Sequence, residues 1–226
     1  MDAVWDTQSL VAINPRDRKQ YVRTVKALLA DTFKYLLVTI EYEPFAHLGR
    51  PHSISYNAVK ELFGAFSNVK FIAQVPAAAP LKAEWKENVF WMSGGEEDRW
   101  AAWQSDHQPD HYCVQSPVLA GQVGNRPESV EQWQTASVSC QGQDFYSHNY
   151  WKMKLFHQYL DVLTGGSKSV RFFLPLCGKA GDLLYLYNEG HTVTGVEGVP
   201  FVVEQFFREN KLEYEKVSVS YMIQSF

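Results

Sequence analysis

The sequence predicts an α/β fold, a sheet with helices on both faces. Three observations predict it. Short apolar runs and helix-spaced stretches alternate over residues 1–93 and again over 131–226. The stretch from Ser169 onward reads strand, helix, strand, helix, which is the βαβ unit of a parallel sheet. Hydrophobic residues make up 46% of the 226 and aromatics 15%, enough to give such a sheet a core and to exclude wholesale disorder.

Each element has its own signal. Ala3-Val4-Trp5 is a short apolar opening. Asn14-Pro15 starts a helix, with Asn as the cap and Pro at the first helical position. Tyr21, Val25, Leu28 and Leu29 then recur at helical spacing. The run Arg16-Asp17-Arg18-Lys19 reads as the exposed first turn of that helix. Residues 33–42 are rich in β-branched and aromatic types and read as a buried strand. Residues 55–66 fit a second helix, with Val59, Leu62, Phe63 and Phe66 on one side. Residues 68–75 and 88–92 read as further strands. Periodicity resumes near His148, where Trp151, Leu155, Tyr159 and Val162 share a helix face that Gly165-Gly166 ends. Strands follow at 169–174 and 192–196, with helices at 179–189 and 200–210. The tail 217–223 alternates and reads as one more strand.

Between the two periodic regions lies a polar stretch, with Pro109, Pro117 and Pro127 and no sustained period. A structureless stretch this long is uncommon inside a compact domain, so 94–130 reads as a linker between two units, 1–93 and 131–226. Asp106, His107, Asp110, His111 and Cys113 within it are ligand types, but their spacing fits no strong metal site, and no metal is expected. The net charge of −4 is mild, so no basic face announces nucleic acid. No signal peptide is visible and no apolar stretch is long enough to span a bilayer. Cys113, Cys140 and Cys177 form no CxxC pair and no even framework, which points to a reducing compartment, the cytoplasm.

The most informative stretch is 171–197. An apolar strand runs into the tight turn Pro175-Leu176-Cys177-Gly178, a helix follows, and a second strand ends in Glu197 about twenty residues on. A nucleoside-like ligand needs this arrangement. The small turn lets backbone N–H groups approach it, the helix start adds a favourable dipole, and the acid can accept bonds from both ribose hydroxyls. The plain alternative is an ordinary βαβ unit with a solvated Glu197. A nicotinamide enzyme is a further rival, but the turn offers only Gly178 and Gly181 where that fingerprint wants three glycines.

Residues 173–214, from FLPLCGKAGD through GHTVTGVEG to EQFFRENKLEY, resemble the cofactor-binding half of the thiopurine S-methyltransferase family. That family shows a similar PLCGK turn, GVE at the second strand's end and an E-x-FF helix. Glu131-Gln132-Trp133-Gln134, Phe145 and Leu160-Asp161 resemble its N-terminal cap. Residues 1–93 resemble its other half, through Trp5-Asp6, LVAINPRDRKQY, FKYLLVTIEYEP, His47-x-Gly49-x-Pro51 and VKELFGAFSNVKFI. The two halves stand in reversed order. A circular permutation and a chimera of tandem copies both account for this. The family's sheet resembles strand order 3-2-1-4-5-7-6, and the family's further strand with adenine-contacting residues is not found after residue 214, which leaves the tail strand at 217–223 as a replacement for that edge. A Rossmann-like S-adenosyl-L-methionine-methyltransferase sheet, permuted or split and short of one edge strand, is therefore expected.

The resemblance implies an S-adenosyl-L-methionine-dependent S-methyltransferase acting on a thiol or similar soft nucleophile of a small molecule, as a monomer or domain-exchanged homodimer. A cofactor-binding relic without turnover is the alternative. Leu176, Cys177 and Gly178 would line the methionine part, Trp133 and Phe145 would cover it, and Glu197 would hold the ribose. Plain core packing is the bland reading for the two aromatics. Asp6 would be the catalytic candidate. Thr7, Pro44, His47, Gly49 and Pro51 would form the substrate side, with Thr7 standing where the family has Arg. Cys177 reads as a small turn residue and not as a catalytic thiol.

Overall fold

A computed structural model describes residues 1–7, 9–43, 46–47, 49–77, 84–95 and 144–216. Most of the 94–130 linker and the tail strand at 217–223 lie outside the described residues.

The first region contributes β1 (Ala3–Asp6), α1 (Ser9–Ala12), α2 (Arg18–Leu28), β2 (Phe33–Glu41), α3 (Tyr56–Phe63), β3 (Asn68–Pro76) and β4 (Lys86–Gly94). The second contributes α4 (Asp144–Thr164), β5 (Arg171–Pro175), α5 (Gly181–Asn188), β6 (Thr192–Val196) and α6 (Pro200–Glu209). Local chemistry sets several of these boundaries. Asn14 caps a 3₁₀ turn at Pro15–Asp17, its side chain accepting the Arg16 N–H, and α2 begins only after it. Ser55 caps α3 by accepting the Ala58 N–H. Gly165 and Gly166, at φ +61° and +75°, end α4. The helix expected from residue 179 starts two residues later, because residues 176–180 are used by the turn that precedes it. The short α1 carries too few residues for a periodic signal and was not expected from the sequence.

The strands form a six-stranded sheet in the order β3-β4-β2-β1-β5-β6. Neighbours β1 and β2, β1 and β5, and β5 and β6 run parallel, while β4 runs antiparallel to both β2 and β3. The sheet is therefore mixed, as is common when a hairpin closes one side of a parallel sheet. Laid on the family's order, it lacks one edge position, the one beyond β6, among the described residues. Helices α4, α5 and α6 pack on one face around Trp5, Trp91, Phe156 and Phe172. Helices α1, α2 and α3 pack on the other around Tyr35, Phe63 and Phe90.

The two reversed regions meet at the centre of this sheet. Ala3 pairs with Phe172 and Val4 with Phe173. Just outside that register, Arg171 donates from Nε and Nη2 to the two Asp2 carboxylate oxygens at 3.0 and 2.6 Å. One expectation is corrected here. Arg18 is not part of an exposed turn. It is 7% exposed and donates to the carbonyls of His52 and Ser53 at 3.2 Å, which it holds against α2. Buried carbonyls need donors, and the guanidinium supplies several at once.

Candidate functional site

In an open α/β sheet the strands' carboxyl ends share one edge, and ligands bind outside it where the strand order reverses. Here β1, β2, β5 and β6 bring Asp6, Glu41, Pro175 and Val196 to that edge. The reversal falls between β1 and β5, the join of the two regions.

The turn after β5 is shaped by two left-handed residues, Leu176 at φ +47° and Gly178 at φ +55°. Glycine adopts this conformation freely, whereas Leu176 holds it under strain, a feature that clusters at ligand sites. The turn is strapped to the end of β6. The Cys177 N–H donates to the Val196 carbonyl at 2.9 Å, and the Gly178 N–H donates to Glu197 Oε2 at 3.0 Å. The other carboxylate oxygen, Oε1, accepts the Val199 N–H at 2.9 Å. Glu197 thus spans the turn and the start of the next helix, half-buried, and each of its oxygens, having accepted one N–H, can accept a further bond. Leu176, Cys177, Gly178 and Glu197 are brought together, as the spacing predicts.

Below the turn a cavity of about 260 Å³ opens between α5, α6 and β6, lined by Cys177, Gly178, Leu183, Gly195, Glu197 and Phe206 among others. Its largely apolar walls, with the Glu197 carboxylate beside the turn, suit a flat ring carrying hydroxyls. Gly195 is needed there because a β-carbon would stand 2.8 Å from Cys177 Sγ and 3.0 Å from a Leu183 methyl. Burial, with the Glu197 carboxylate close by, pushes the Cys177 thiol up to about 11. At pH 8 it therefore holds roughly 100-fold less thiolate than an ordinary cysteine. Site-resolved mass spectrometry after brief iodoacetamide treatment is expected to find Cys177 unmodified in the native chain and labelled in urea. Rapid native labelling would instead mark it as a reactive thiol.

At the end of β1 the two faces of the sheet diverge. Asp6 is fully buried towards α1 and α2. Its carboxylate accepts the Ser9 N–H at 2.9 Å, the Ser9 hydroxyl, the Tyr35 hydroxyl at 2.8 Å and the Tyr21 hydroxyl at 3.2 Å. Burial raises the Asp6 carboxyl, and these donors pull against it. Tyr21 and Tyr35 are raised by burial and by the same carboxylate, so both remain phenols that donate. Trp5 points to the opposite face, where its indole N–H donates to Asp182 Oδ2 at 2.8 Å in the first turn of α5. Thr7, half-buried, follows at the edge.

The expected substrate-side loop leaves the end of β2. His47 Nε2 lies 3.0 Å from the Arg50 carbonyl, and the Tyr42 hydroxyl donates to the Pro51 carbonyl at 2.8 Å. Tyr42 stacks on Trp85 with ring centroids 4.5 Å apart, and His47 lies 5.2 Å from Trp85. This places His47, Gly49 and Pro51 at the carboxyl edge with an aromatic pair behind them. Pro44 and Trp133 lie outside the described residues. Phe145 is in the first turn of α4.

Sequence reasoning missed Ser9, Tyr21 and Tyr35 around Asp6, and Asp182 beneath Trp5. An Asp followed three residues on by Ser, before a helix, is a capping pattern that could have pointed to Ser9. The tyrosines carry no such signal, because their partner is far away in sequence.

A family model described as thiopurine S-methyltransferase matches residues 1–104 and 131–225. Among curated proteins, thiopurine S-methyltransferase of Equus caballus is 38% identical over 84 residues, 37% of this chain and 34% of that protein. The Rattus norvegicus protein of the same name is 35% identical over 89 residues, 39% of this chain and 37% of that one. The chain thus spans little more than a third of these relatives in a single match. Among solved structures, the M1.HpyAVI–SAM complex superposes with a TM-score of 0.50 at 12% identity, covering 93% of this chain and 89% of that one. At that identity the likeness concerns the fold alone.

Proposed function

Because the chain belongs to the thiopurine S-methyltransferase family, we propose that it is an S-adenosyl-L-methionine-dependent methyltransferase acting on a thiol or similar soft nucleophile of a small molecule. One observation carries the reading: the Glu197 carboxylate is strapped to the Gly178 N–H at 3.0 Å at the rim of an apolar cavity. That geometry fits a ribose on the carboxylate and an amino-acid portion along the turn. The bound cofactor would supply a methyl group made electrophilic by a sulfonium.

The chain's own residues have limited chemistry to do. The acceptor's sulfur attacks, and an acidic aromatic thiol is partly ionised near neutral pH, so no strong protein base is required. Rate then comes from positioning and electrostatics. Leu176, Cys177 and Gly178 are assigned to the methionine portion, Glu197 to the ribose, and Trp133 and Phe145 to the cover. Thr7, Pro44, His47, Gly49 and Pro51 are assigned to the acceptor side. Asp6 has its carboxylate engaged by Ser9, Tyr21 and Tyr35, so we assign it to holding the turn that presents Thr7, and not to proton transfer. No helix among the described residues is long and apolar enough to cross a membrane. We place the protein in the cytoplasm, as a monomer or a domain-exchanged homodimer.

A second reading, cofactor binding without turnover, is favoured by the state of β6. Among the described residues it is a sheet edge, with Val196 46% and Val199 51% exposed where an adenine wall would stand. Incubating the intact chain with methyl-labelled S-adenosyl-L-methionine and an aromatic thiol separates the two. Labelled thioether above the uncatalysed rate is expected. Saturable binding without product would favour the second reading, and neither binding nor product would overturn both.

A further inference from the structure

Arg18 opens α2 and is 7% exposed. Among the described residues it makes no ion pair with a carboxylate. A cation there opposes the positive end of the helix dipole, and a buried charge without a counter-ion costs desolvation. Stability alone is therefore a weak reason for an arginine at this place. What the guanidinium meets is carbonyl oxygen. Nη2 donates to the His52 and Ser53 carbonyls at 3.2 Å each, and Nη1 donates to the Ser53 carbonyl again at 3.3 Å.

Those two carbonyls belong to the base of the loop that leaves β2 and carries His47, Gly49 and Pro51. Each residue from 51 to 54 is tied down. The Pro51 carbonyl accepts the Tyr42 hydroxyl at 2.8 Å. The His52 N–H donates to the Val11 carbonyl of α1 at 2.7 Å, and the Ile54 N–H donates to the Ile40 carbonyl of β2 at 2.9 Å. Ser53 Oγ accepts the Tyr42 N–H and donates to the Tyr42 carbonyl, both at 3.0 Å. Arg18 adds the link to α2. At the other end of α1, the Ser9 N–H donates to Asp6 at 2.9 Å, across Thr7. The base of the loop and the Thr7 turn thus share α1 as a support, and the Arg18 fork braces the loop from α2. A lysine cannot reproduce that fork, because its ammonium is a point donor on a flexible stem and the guanidinium is planar.

We propose that Arg18 is a positioning residue for the acceptor: its buried guanidinium fixes the base of the 47–51 loop through the His52 and Ser53 carbonyls, and so holds that loop in place relative to Thr7. A loop that leaves this position part of the time binds its ligand more weakly in proportion. The clamp exists in the unliganded chain, and only its consequence for the acceptor rests on the methyltransferase reading above.

The test compares Arg18→Met and Arg18→Lys with the parent. The readouts are amide hydrogen exchange of the unliganded chain, calorimetric affinity for S-adenosyl-L-methionine, and KM and kcat for methylation of thiophenol. In Arg18→Met the His52 and Ile54 amides are expected to exchange roughly tenfold faster, measured against the Leu36 and Leu37 amides inside β2. The KM for thiophenol rises about tenfold, kcat changes little, and cofactor affinity stays within about twofold of the parent's. Arg18→Lys falls between. Loop amides that exchange as in the parent would overturn the clamp. Faster exchange with an unchanged KM, or equal losses for cofactor and thiophenol, would overturn the positioning role and leave Arg18 a structural residue. Should Arg18→Met fail to fold, Arg18→Lys decides with the same readouts. Should the parent transfer no methyl group, the methyltransferase reading fails while the exchange of His52 and Ile54 still judges the clamp.

Discussion

Glu197→Ala is expected to weaken S-adenosyl-L-methionine binding roughly 100-fold in calorimetry. The carboxylate lines the cavity beside the turn, and in the proposed complex it accepts both ribose hydroxyls. Two hydrogen bonds to a charged acceptor are worth about 3 kcal/mol together, which is about two decades in affinity. A second loss adds to this. The Gly178 N–H, held at 3.0 Å by Glu197, loses its partner, and the left-handed turn at Leu176 and Gly178 loses a strap. Glu197→Gln keeps the shape and an acceptor, so its loss is expected to be smaller. The melting temperature should change little, because the orphaned N–H groups can reach water. A dissociation constant within twofold of the parent's would remove Glu197 from the ribose.

Asp6→Ala carries the largest expected effect on stability. The carboxylate is fully buried and takes bonds from the Ser9 N–H and from the hydroxyls of Ser9, Tyr21 and Tyr35. Its removal leaves buried donors without an acceptor, each costing roughly 1–3 kcal/mol before relaxation. A loss of about 4 kcal/mol follows once some of them find other partners, and a chain of this length melts about 10 °C lower for it. Asp6→Asn keeps an acceptor but loses the charge, and should fall between. A variant that melts with the parent yet loses turnover would return Asp6 to the catalytic role that the Trp-Asp resemblance implies.

Much of this was legible in the sequence because it rests on local pattern. Periodicity found β2, β6 and α6 nearly to the residue and placed α3, which ends three residues earlier than expected, since an apolar face repeats at a spacing that only one backbone satisfies. The turn after β5 and its link to Glu197 were legible from a strand, a small-residue turn and an acid at fixed separation. The reversed order followed from long motifs, and the pairing of Ala3 with Phe172 and Val4 with Phe173 shows those regions side by side.

What was not legible depends on partners far apart in the chain. Arg18 looks like one more charge in a polar turn, and only the carbonyls of His52 and Ser53 explain its burial. The Asp6 cage draws Tyr21 and Tyr35 from different elements, and a tyrosine's apolar ring already accounts for its place in a core. Lys152, whose ammonium lies 3.9 Å from Oε1 of Glu87, was half-visible. It stands three and four residues before Leu155 and Phe156, on the face that packs against the sheet, but helical spacing alone names no counter-charge for it. Glu87 alternates with Val89 and Trp91 in the same way on β4.

The central claim is that residues from both regions of the chain form one cofactor site at the carboxyl edge of the sheet. Titrating the ¹⁵N-labelled intact chain with S-adenosyl-L-methionine tests it most directly. The amides of Gly178 and Val199, from one region, and of Thr7, from the other, should shift along one saturation curve, with no response to NAD. Shifts confined to one region, or a saturable response to NAD and none to S-adenosyl-L-methionine, would contradict it.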